Sequence, residues 1–197
     1  MGWEALMRRI SALVVFAVIL GAVACDNSPS SNPSGQSARF NLRLTDSPFS
    51  DARAVLVTFS EVTAHRTDSD WTRVPFAGGA TARTCDLKKL QASEDVLGTG
   101  PLPPGDYTQV RLVVQSARLY FDNPADGPAC AAAITAPAGR MADLRIPSGE
   151  VKLNRGFTLT PESTTTMLVD FDGDKSIHQT GNGTYMMSPV IGITRVD

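Results

Sequence analysis

The chain has 197 residues, of which 42% are hydrophobic and 19% are charged, and its formal net charge is −2. This length fits one ordinary globular domain with additional segments. The near-neutral charge argues against the basic surface of a nucleic-acid-binding protein, so we expect no nucleic-acid partner. Two histidines and three cysteines provide few ligands for a nitrogen- or sulfur-rich metal site.

Residues 1–24 have the features of a secretory signal. Arg8 and Arg9 give a positively charged start, residues 10–20 are almost continuously apolar, and small residues occupy positions 22–24. The apolar run is shorter than the roughly 20 residues that a membrane-spanning helix needs. We therefore expect export from the cytoplasm instead of a transmembrane helix.

Cys25 directly follows this segment, and the run Ala22-Val23-Ala24-Cys25 resembles the lipobox of bacterial lipoproteins. In that family the cysteine thiol receives diacylglycerol, further acyl chains such as palmitate follow, and the signal is cut just before the cysteine. The resemblance implies that Cys25 is the lipidation site and anchors the protein to the cell membrane or outer membrane, outside the cytoplasm. The alternative is an ordinary signal followed by a chance cysteine.

After Cys25 the chain changes character. Residues 26–38 contain Ser, Pro, Asn, Gly and Gln with no large apolar residue, so they cannot bury enough surface to offset their ordering entropy. We interpret residues 25–38 as a lipidated cysteine and a flexible tether. Residues 39–197 then form a single folded domain.

The alternation of apolar and polar residues in residues 39–197 predicts β-strands. The clearest series are Phe40, Leu42 and Leu44, then Val55, Val57 and Phe59, then the long stretch 107–121. Residues 86–97 favour a helix of one or two turns. The pattern predicts an all-β fold, an antiparallel β-sandwich with at most one short helix.

Turn residues separate these predicted strands. Residues 67–70 predict a hairpin turn before Trp71. Asp172-Gly173 and Asn182-Gly183 each match the two-residue turn that joins neighbouring antiparallel strands.

Five segments, in this order, resemble one known family: LRLTDSP, AVLVTFSEVTAHR, LPPGDYTQVRLVV, IPSGEVKL and LVDFDGDKSIHQTGNGTYMMSPVI. They are similar to bacterial lipoproteins built on domain of unknown function 4382, over residues 40–195. The resemblance implies an extracytoplasmic β-sandwich with no established activity and no assigned catalytic residue. LPPGDYTQV is also similar to the turn that opens a strand in immunoglobulin-like and transthyretin-like sandwiches, which implies that Tyr107 packs at a sheet corner.

Cys85 and Cys130 remain once Cys25 is assigned to lipid. Two cysteines in an oxidising compartment favour a disulfide, and the 45 positions between them correspond to about 4 kcal/mol of loop entropy. The alternative is two free buried thiols, or a strand geometry that keeps them apart.

Asp170, Asp172 and Asp174 are the weak candidates for metal ligands, because carboxylates on one strand face suit a hard cation. The EF-hand pattern fails, since Lys175 occupies the sixth position and Gly181 the twelfth. We favour solvent-facing carboxylates with Asp172-Gly173 forming a turn, and we expect no cofactor.

Catalysis is the less favoured hypothesis. His65 and His178 have no partner at ligand or triad spacing, although distant residues such as Asp170 are able to complete a hydrolase site. Five aromatic residues are candidates for a sugar-binding face, although we favour packing roles for them: Trp71, Tyr107, Tyr120, Phe121 and Tyr185. The sequence predicts a non-catalytic envelope module that binds or scaffolds a protein or glycan. The alternatives are a small envelope hydrolase and a Ca²⁺-stabilised adhesion-type module.

Overall fold

A computed structural model describes residues 36–47 and 49–197 of the chain, as β-strands with three short helical segments. The strands are β1 (Ala38–Ser47), β2 (Ala54–Arg66), β3 (Trp71–Arg73), β4 (Arg83–Asp86), β5 (Asp95–Leu102), β6 (Gly105–Tyr120), β7 (Cys130–Ala131), β8 (Met141–Arg145), β9 (Glu150–Leu153), β10 (Phe157–Leu159), β11 (Thr164–Asp172), β12 (Ile177–Gln179), β13 (Tyr185–Met187) and β14 (Ile191–Val196). The helix α1 spans Gly173–Ser176, and 3₁₀ turns span Ala77–Gly79 and Leu87–Ala92. The predicted signal, Cys25 and the tether up to residue 35 lie outside the described residues.

The smaller sheet has four strands in the order β14-β11-β1-β5. Strand β1 lies inside this sheet and pairs in parallel with β11, so that Leu42 lies opposite Met167, and antiparallel with β5. Phe40, Leu42 and Leu44 are fully buried on one face, as their alternation predicts.

The larger sheet has ten strands, and its main order is β12-β13-β8-β6-β2-β4-β7. The long strands β2 and β6 pair antiparallel at its centre. Strand β3 adds to β2, and strands β9 and β10 add to β6. Each of these two long strands therefore pairs with several shorter strands. Together they form one broad outer surface of the sheet.

The core lies between the two sheets. Phe59 of the larger sheet contacts Phe171 of the smaller one, with ring centroids 6.4 Å apart. Phe157 stacks on Phe40 and on Tyr107, each at 5.1 Å. Each fully buried side chain of this size contributes about 1.5–3 kcal/mol. The prediction of an all-β, sandwich-like fold with little helix is confirmed.

Two details of that prediction need correction. The sheets are mixed, because β1 pairs in parallel with β11 and β8 with β13. A long connection makes parallel pairing possible, and most of the larger sheet separates β1 from β11 along the chain. Three short helical segments occur in the described residues, where at most one was expected.

The predicted helix over residues 86–97 is only partly present. A 3₁₀ turn spans Leu87–Ala92, where the Asp86 side chain accepts a hydrogen bond from the Lys88 amide. Residues from Asp95 onward form β5 and pair with β1. The leucines at 87, 90 and 97 are all buried, but a turn and a strand bury them, not one helix.

The turn predictions have different outcomes. The turn over residues 67–70 joins β2 to β3, and Asn182-Gly183 lies between the antiparallel pair β12 and β13, with Gly183 at φ 82°. At Asp172-Gly173 the prediction was wrong, because α1 begins there. Asp172 caps α1 by accepting the Lys175 amide, and β11 pairs with β14 instead of β12.

Cys85 and Cys130 form the predicted disulfide. They lie directly opposite each other on β4 and β7, with Cα atoms 4.1 Å apart. Asp95 accepts a hydrogen bond from the Cys130 amide at 3.0 Å, and Arg83 donates to the Cys130 carbonyl at 3.2 Å. The bridge therefore fixes the loop after β6 onto the edge of the larger sheet.

The helical segments of the described chain are all too short and too polar to cross a bilayer.

Candidate functional site

The outer surface of the larger sheet carries a continuous group of aromatic and polar side chains. Strands β3, β2, β6 and β9 lie side by side there, and alternation directs Ala64, Val110 and Leu153 into the core. The neighbouring residues face outward. We call this group the Trp71 surface, and its members are His65, Trp71, Gln109, Arg111, Glu150, Lys152 and Asn154.

Register brings these side chains together. Trp71 lies opposite His65, and His65 lies opposite Gln109 on the next strand. Arg111 lies opposite Lys152. Directly opposed residues have Cβ atoms about 4.5–5.5 Å apart, so these side chains lie within reach of one another across the strands.

Trp71 is the central aromatic residue of this surface. It is 38% exposed, which is unusual for so large a hydrophobic side chain. The Arg111 guanidinium carbon lies 4.0 Å from the centroid of its ring, in a cation–π contact. The His65 ring lies 4.9 Å away, tilted by 48°. The indole is thus held by two neighbours while part of it remains open to solvent.

Arg111 is itself fixed by polar partners. Its Nε lies 3.2 Å from Glu150 Oε2 in an ion pair, and its Nη2 donates to Gln109 Oε1 at 3.1 Å. Lys152 Nζ lies 2.9 Å from the other Glu150 oxygen. The hydrogen bond from Lys152 and the charge of Arg111 lower the pKa of Glu150, so this carboxylate is ionised at neutral pH.

The two histidines do not form a site together. His65 Nδ1 lies 2.9 Å from Thr108 Oγ1, and its ring contacts Trp71. His178 lies on β12, and β13, β8 and β6 separate that strand from β2 in the larger sheet. The structure therefore does not bring together the pair that the hydrolase alternative would use.

The three candidate metal ligands lie at one end of the smaller sheet. Asp170 accepts a hydrogen bond from Ser47 Oγ at 3.4 Å, while Asp172 is paired with Lys175. Hydrogen bonds from Lys175 lower the pKa of Asp172. Across residues 36–47 and 49–197, no three His, Cys, Asp or Glu side chains are arranged to hold a metal ion.

Asp46 at the same end is a buried carboxyl group that the sequence reasoning missed. The parallel strands β1 and β11 end together, which places Asp46 near Asp170. Asp46 is 6% exposed, and its Oδ1 makes no hydrogen bond. Burial, and then the charge of Asp170, raise its pKa to about 8. One signal was available, because Asp46 continues the inward series of Phe40, Leu42 and Leu44.

The aromatic candidates divide into two groups. Tyr107 and Tyr120 are buried, and Phe121 contacts Tyr185 with ring centroids 5.5 Å apart. These four have packing roles, as favoured from the sequence. Trp71 differs, and its three-residue strand is too short for alternation to reveal which way the indole faces.

The fold and this surface define a class, namely an all-β sandwich domain that displays a polar and aromatic sheet surface. A family model described as Domain of unknown function (DUF4382) matches residues 37–189, and the chain belongs to this family. No curated protein matches the chain. No solved structure matches it.

Proposed function

We propose that this protein is a lipid-anchored, non-catalytic module of the bacterial cell envelope that binds its partner through the Trp71 surface. The observation that carries the proposal is a partly exposed tryptophan, on a strand, that contacts a guanidinium and an imidazole. Tryptophan and arginine are the side chains that most often dominate binding energies.

The arrangement of the Trp71 surface supports binding because its side chains are held in place by one another. Arg111 is held by Glu150 and Gln109, so little side-chain freedom is lost when a partner arrives. Sites on strands also hold their geometry better than sites on loops.

The signal-like residues 1–24 and Cys25 support the anchor and the extracytoplasmic location. Acyl chains contribute about 0.8 kcal/mol for each buried CH₂ group, and two or more chains give stable anchoring. The Cys85–Cys130 disulfide is consistent with an oxidising compartment.

An immunoglobulin-like or transthyretin-like relationship is part of the same proposal. It is supported by Tyr107, whose hydroxyl donates to the Pro103 carbonyl four residues upstream at 2.8 Å. A tyrosine that bonds back to upstream backbone at a sheet corner is a feature of immunoglobulin-like sandwiches.

The binding proposal is tested with full-length protein, tagged at its C-terminus and cross-linked in intact cells. Wild type and Met141→Ala, which alters another exposed hydrophobic residue, should capture the same envelope component. Trp71→Ala should lose that component while remaining folded and membrane-bound. Capture that is equal in all three proteins would contradict a role for the Trp71 surface.

The anchor is tested separately. Cys25→Ala protein should no longer incorporate labelled palmitate and should move from the membrane to the soluble fraction. Unchanged membrane retention, or a wild type that never takes up the label, would contradict the anchor and leave the binding proposal to its own test.

A further inference from the structure

We infer that the Trp71 surface binds an anionic oligosaccharide, with carboxylate-bearing sugars of the uronic acid type as its ligands. This inference rests on the proposed binding function and names the chemistry of the ligand. It follows from the hydrogen-bonding capacity, the charge and the shape of the surface.

The side-chain acceptors beside Lys152 and Asn154 are already engaged. Both Glu150 oxygens lie beside cations, and Gln109 Oε1 accepts from Arg111. Asn154 Oδ1 accepts from the Gln109 amide, and Thr108 Oγ1 is paired with His65. A ligand at this end of the surface therefore finds few free acceptors for its own donors.

Donor groups are in surplus. Within the described part of the chain, Trp71 Nε1 and Asn154 Nδ2 donate no hydrogen bond, and Lys152 uses its ammonium group only toward Glu150. Lys152 and Asn154 are exposed. Such a surface favours a ligand that is rich in acceptors, and ionised carboxylates are acceptors only.

The charge of the surface also favours an anion. Arg111 and Lys152 share the single carboxylate of Glu150, so this cluster of three side chains has one positive charge in excess. The whole chain has the opposite balance, with a net charge of −2. Asp68 and Asp70 belong to the turn between β2 and β3, at one end of the surface, and they favour placing the ligand's charge toward Lys152.

The shape favours a sugar over a protein or a lipid surface. Trp71 is the large exposed aromatic ring here, and charged and amide side chains surround it, whereas the centre of a protein interface is depleted of charge. Insertion into a bilayer requires a broad apolar face. Sugar rings present slightly positive C–H groups that pack on the negative face of an indole.

The extent of the surface indicates an oligosaccharide. Strands β3, β2, β6 and β9 span three strand spacings, or about 14 Å. A chain of linked sugars covers this width, with one ring on Trp71 and the carboxylate of a further sugar beside Lys152. Arg111 then acts as a positioning residue, because it holds the indole and already has its own carboxylate partner.

The test uses full-length protein in detergent and hexamers of galacturonate, glucuronate and mannuronate. Trp71 fluorescence reports binding directly, because the other tryptophan, Trp3, lies within the predicted signal. We expect at least one hexamer to bind at least tenfold more tightly than its neutral methyl ester, and this preference should weaken as salt is added.

Variants locate the site. Trp71→Phe should retain part of the affinity, while Trp71→Ala should lose at least tenfold, measured by calorimetry. Lys152→Ala should lose the preference for the acid over the ester. Lys175→Ala is the matched control, because it removes a lysine that pairs with one carboxylate at the far end of the smaller sheet. It should bind like wild type.

The remaining outcomes distinguish a failure of the ligand inference from a failure of the proposed function. Equal binding of acid and ester, or failure of all three hexamers while envelope capture still depends on Trp71, overturns the inference and leaves the binding module. Binding to phosphatidylglycerol vesicles that the hexamers do not displace identifies a lipid surface and also overturns it. If the capture of an envelope component does not depend on Trp71 at all, the proposed binding function itself is wrong.

Discussion

The acidic end of the smaller sheet and the Trp71 surface of the larger sheet hold charged side chains in opposite ways. Asp46 is buried with an unpaired oxygen and other carboxylates nearby. Arg111 and Glu150 are half-exposed and paired. The difference teaches that the alternation of side chains along a strand, and not the residue type, decides whether a charged side chain is buried or exposed. It also predicts that interior changes alter folding, whereas changes on the Trp71 surface alter binding.

The largest effect on the interior should come from its covalent link. Replacing Cys85 and Cys130 together with alanine should lower the free energy of unfolding by about 4 kcal/mol, because the unfolded chain regains the freedom of a 45-residue loop. Urea denaturation followed by circular dichroism measures this loss. A change below about 1 kcal/mol would contradict this contribution of loop entropy.

A second buried carboxyl group, that of Asp86, differs from Asp46 because it accepts hydrogen bonds. Asp86 is fully buried, and its Oδ1 accepts from the amides of Val55 at 3.0 Å and Lys88 at 3.2 Å. Asp86→Ala should lower stability by about 2–3 kcal/mol, since two amides lose their acceptor. Asp86→Asn keeps an acceptor oxygen and should recover much of the loss in the same denaturation experiment. Equal losses in both variants would contradict the role of these hydrogen bonds.

Replacing Asp46 should instead raise the free energy of unfolding. Its pKa is about 8 in the folded protein, above the ordinary value of 3.8. Between these values the unfolded chain has released the proton that the folded protein keeps, so this group's contribution to stability falls as pH rises from about 4 to 8. Asp46→Asn removes that dependence, so its stability relative to wild type should rise by about 1.4 kcal/mol for each pH unit between pH 5 and pH 8. Denaturation at pH 5, 6.5 and 8 measures it, and parallel curves for the two proteins would contradict the burial of a neutral Asp46.

The smallest effect on stability should come from the Trp71 surface. Trp71→Ala should lower the free energy of unfolding by only about 1 kcal/mol, because the residue is partly exposed and its cation–π and ion-pair neighbours contribute little to folding. Arg111→Ala should behave similarly in thermal melts. A destabilisation above about 2 kcal/mol would assign Trp71 a packing role and would break the contrast between the two regions.

Alternation and turn chemistry predict much of this fold. They place Phe40, Leu42 and Leu44 inward and the turn at Asn182-Gly183 correctly. The pairing of β1 with β11 could not be predicted from the sequence, because alternation identifies the buried face of a strand but not its neighbour in the sheet. Leucines at 87, 90 and 97 fit a helix as well as a turn followed by a strand, and pairing with β1 decides between them.

The candidate site was less accessible to prediction. Trp71 was one of five aromatic candidates, and nothing in a three-residue strand marks it as the outward-facing one. Arg111, Glu150 and Lys152 come from β6 and β9, which are adjacent only through sheet pairing. The disulfide was predictable because only two cysteines remained in the domain.

The pairing of β1 with β11 has a consequence for how this chain reaches its native state. Asn41 and Thr166 are bonded neighbours 125 positions apart in sequence. Contacts of such long range slow folding, because a large loop must close before they form. Strand β1 therefore lacks its parallel neighbour until the last third of the polypeptide is available. Until then its unpaired edge is open to pairing with other chains, which makes aggregation the main competitor of folding for this topology.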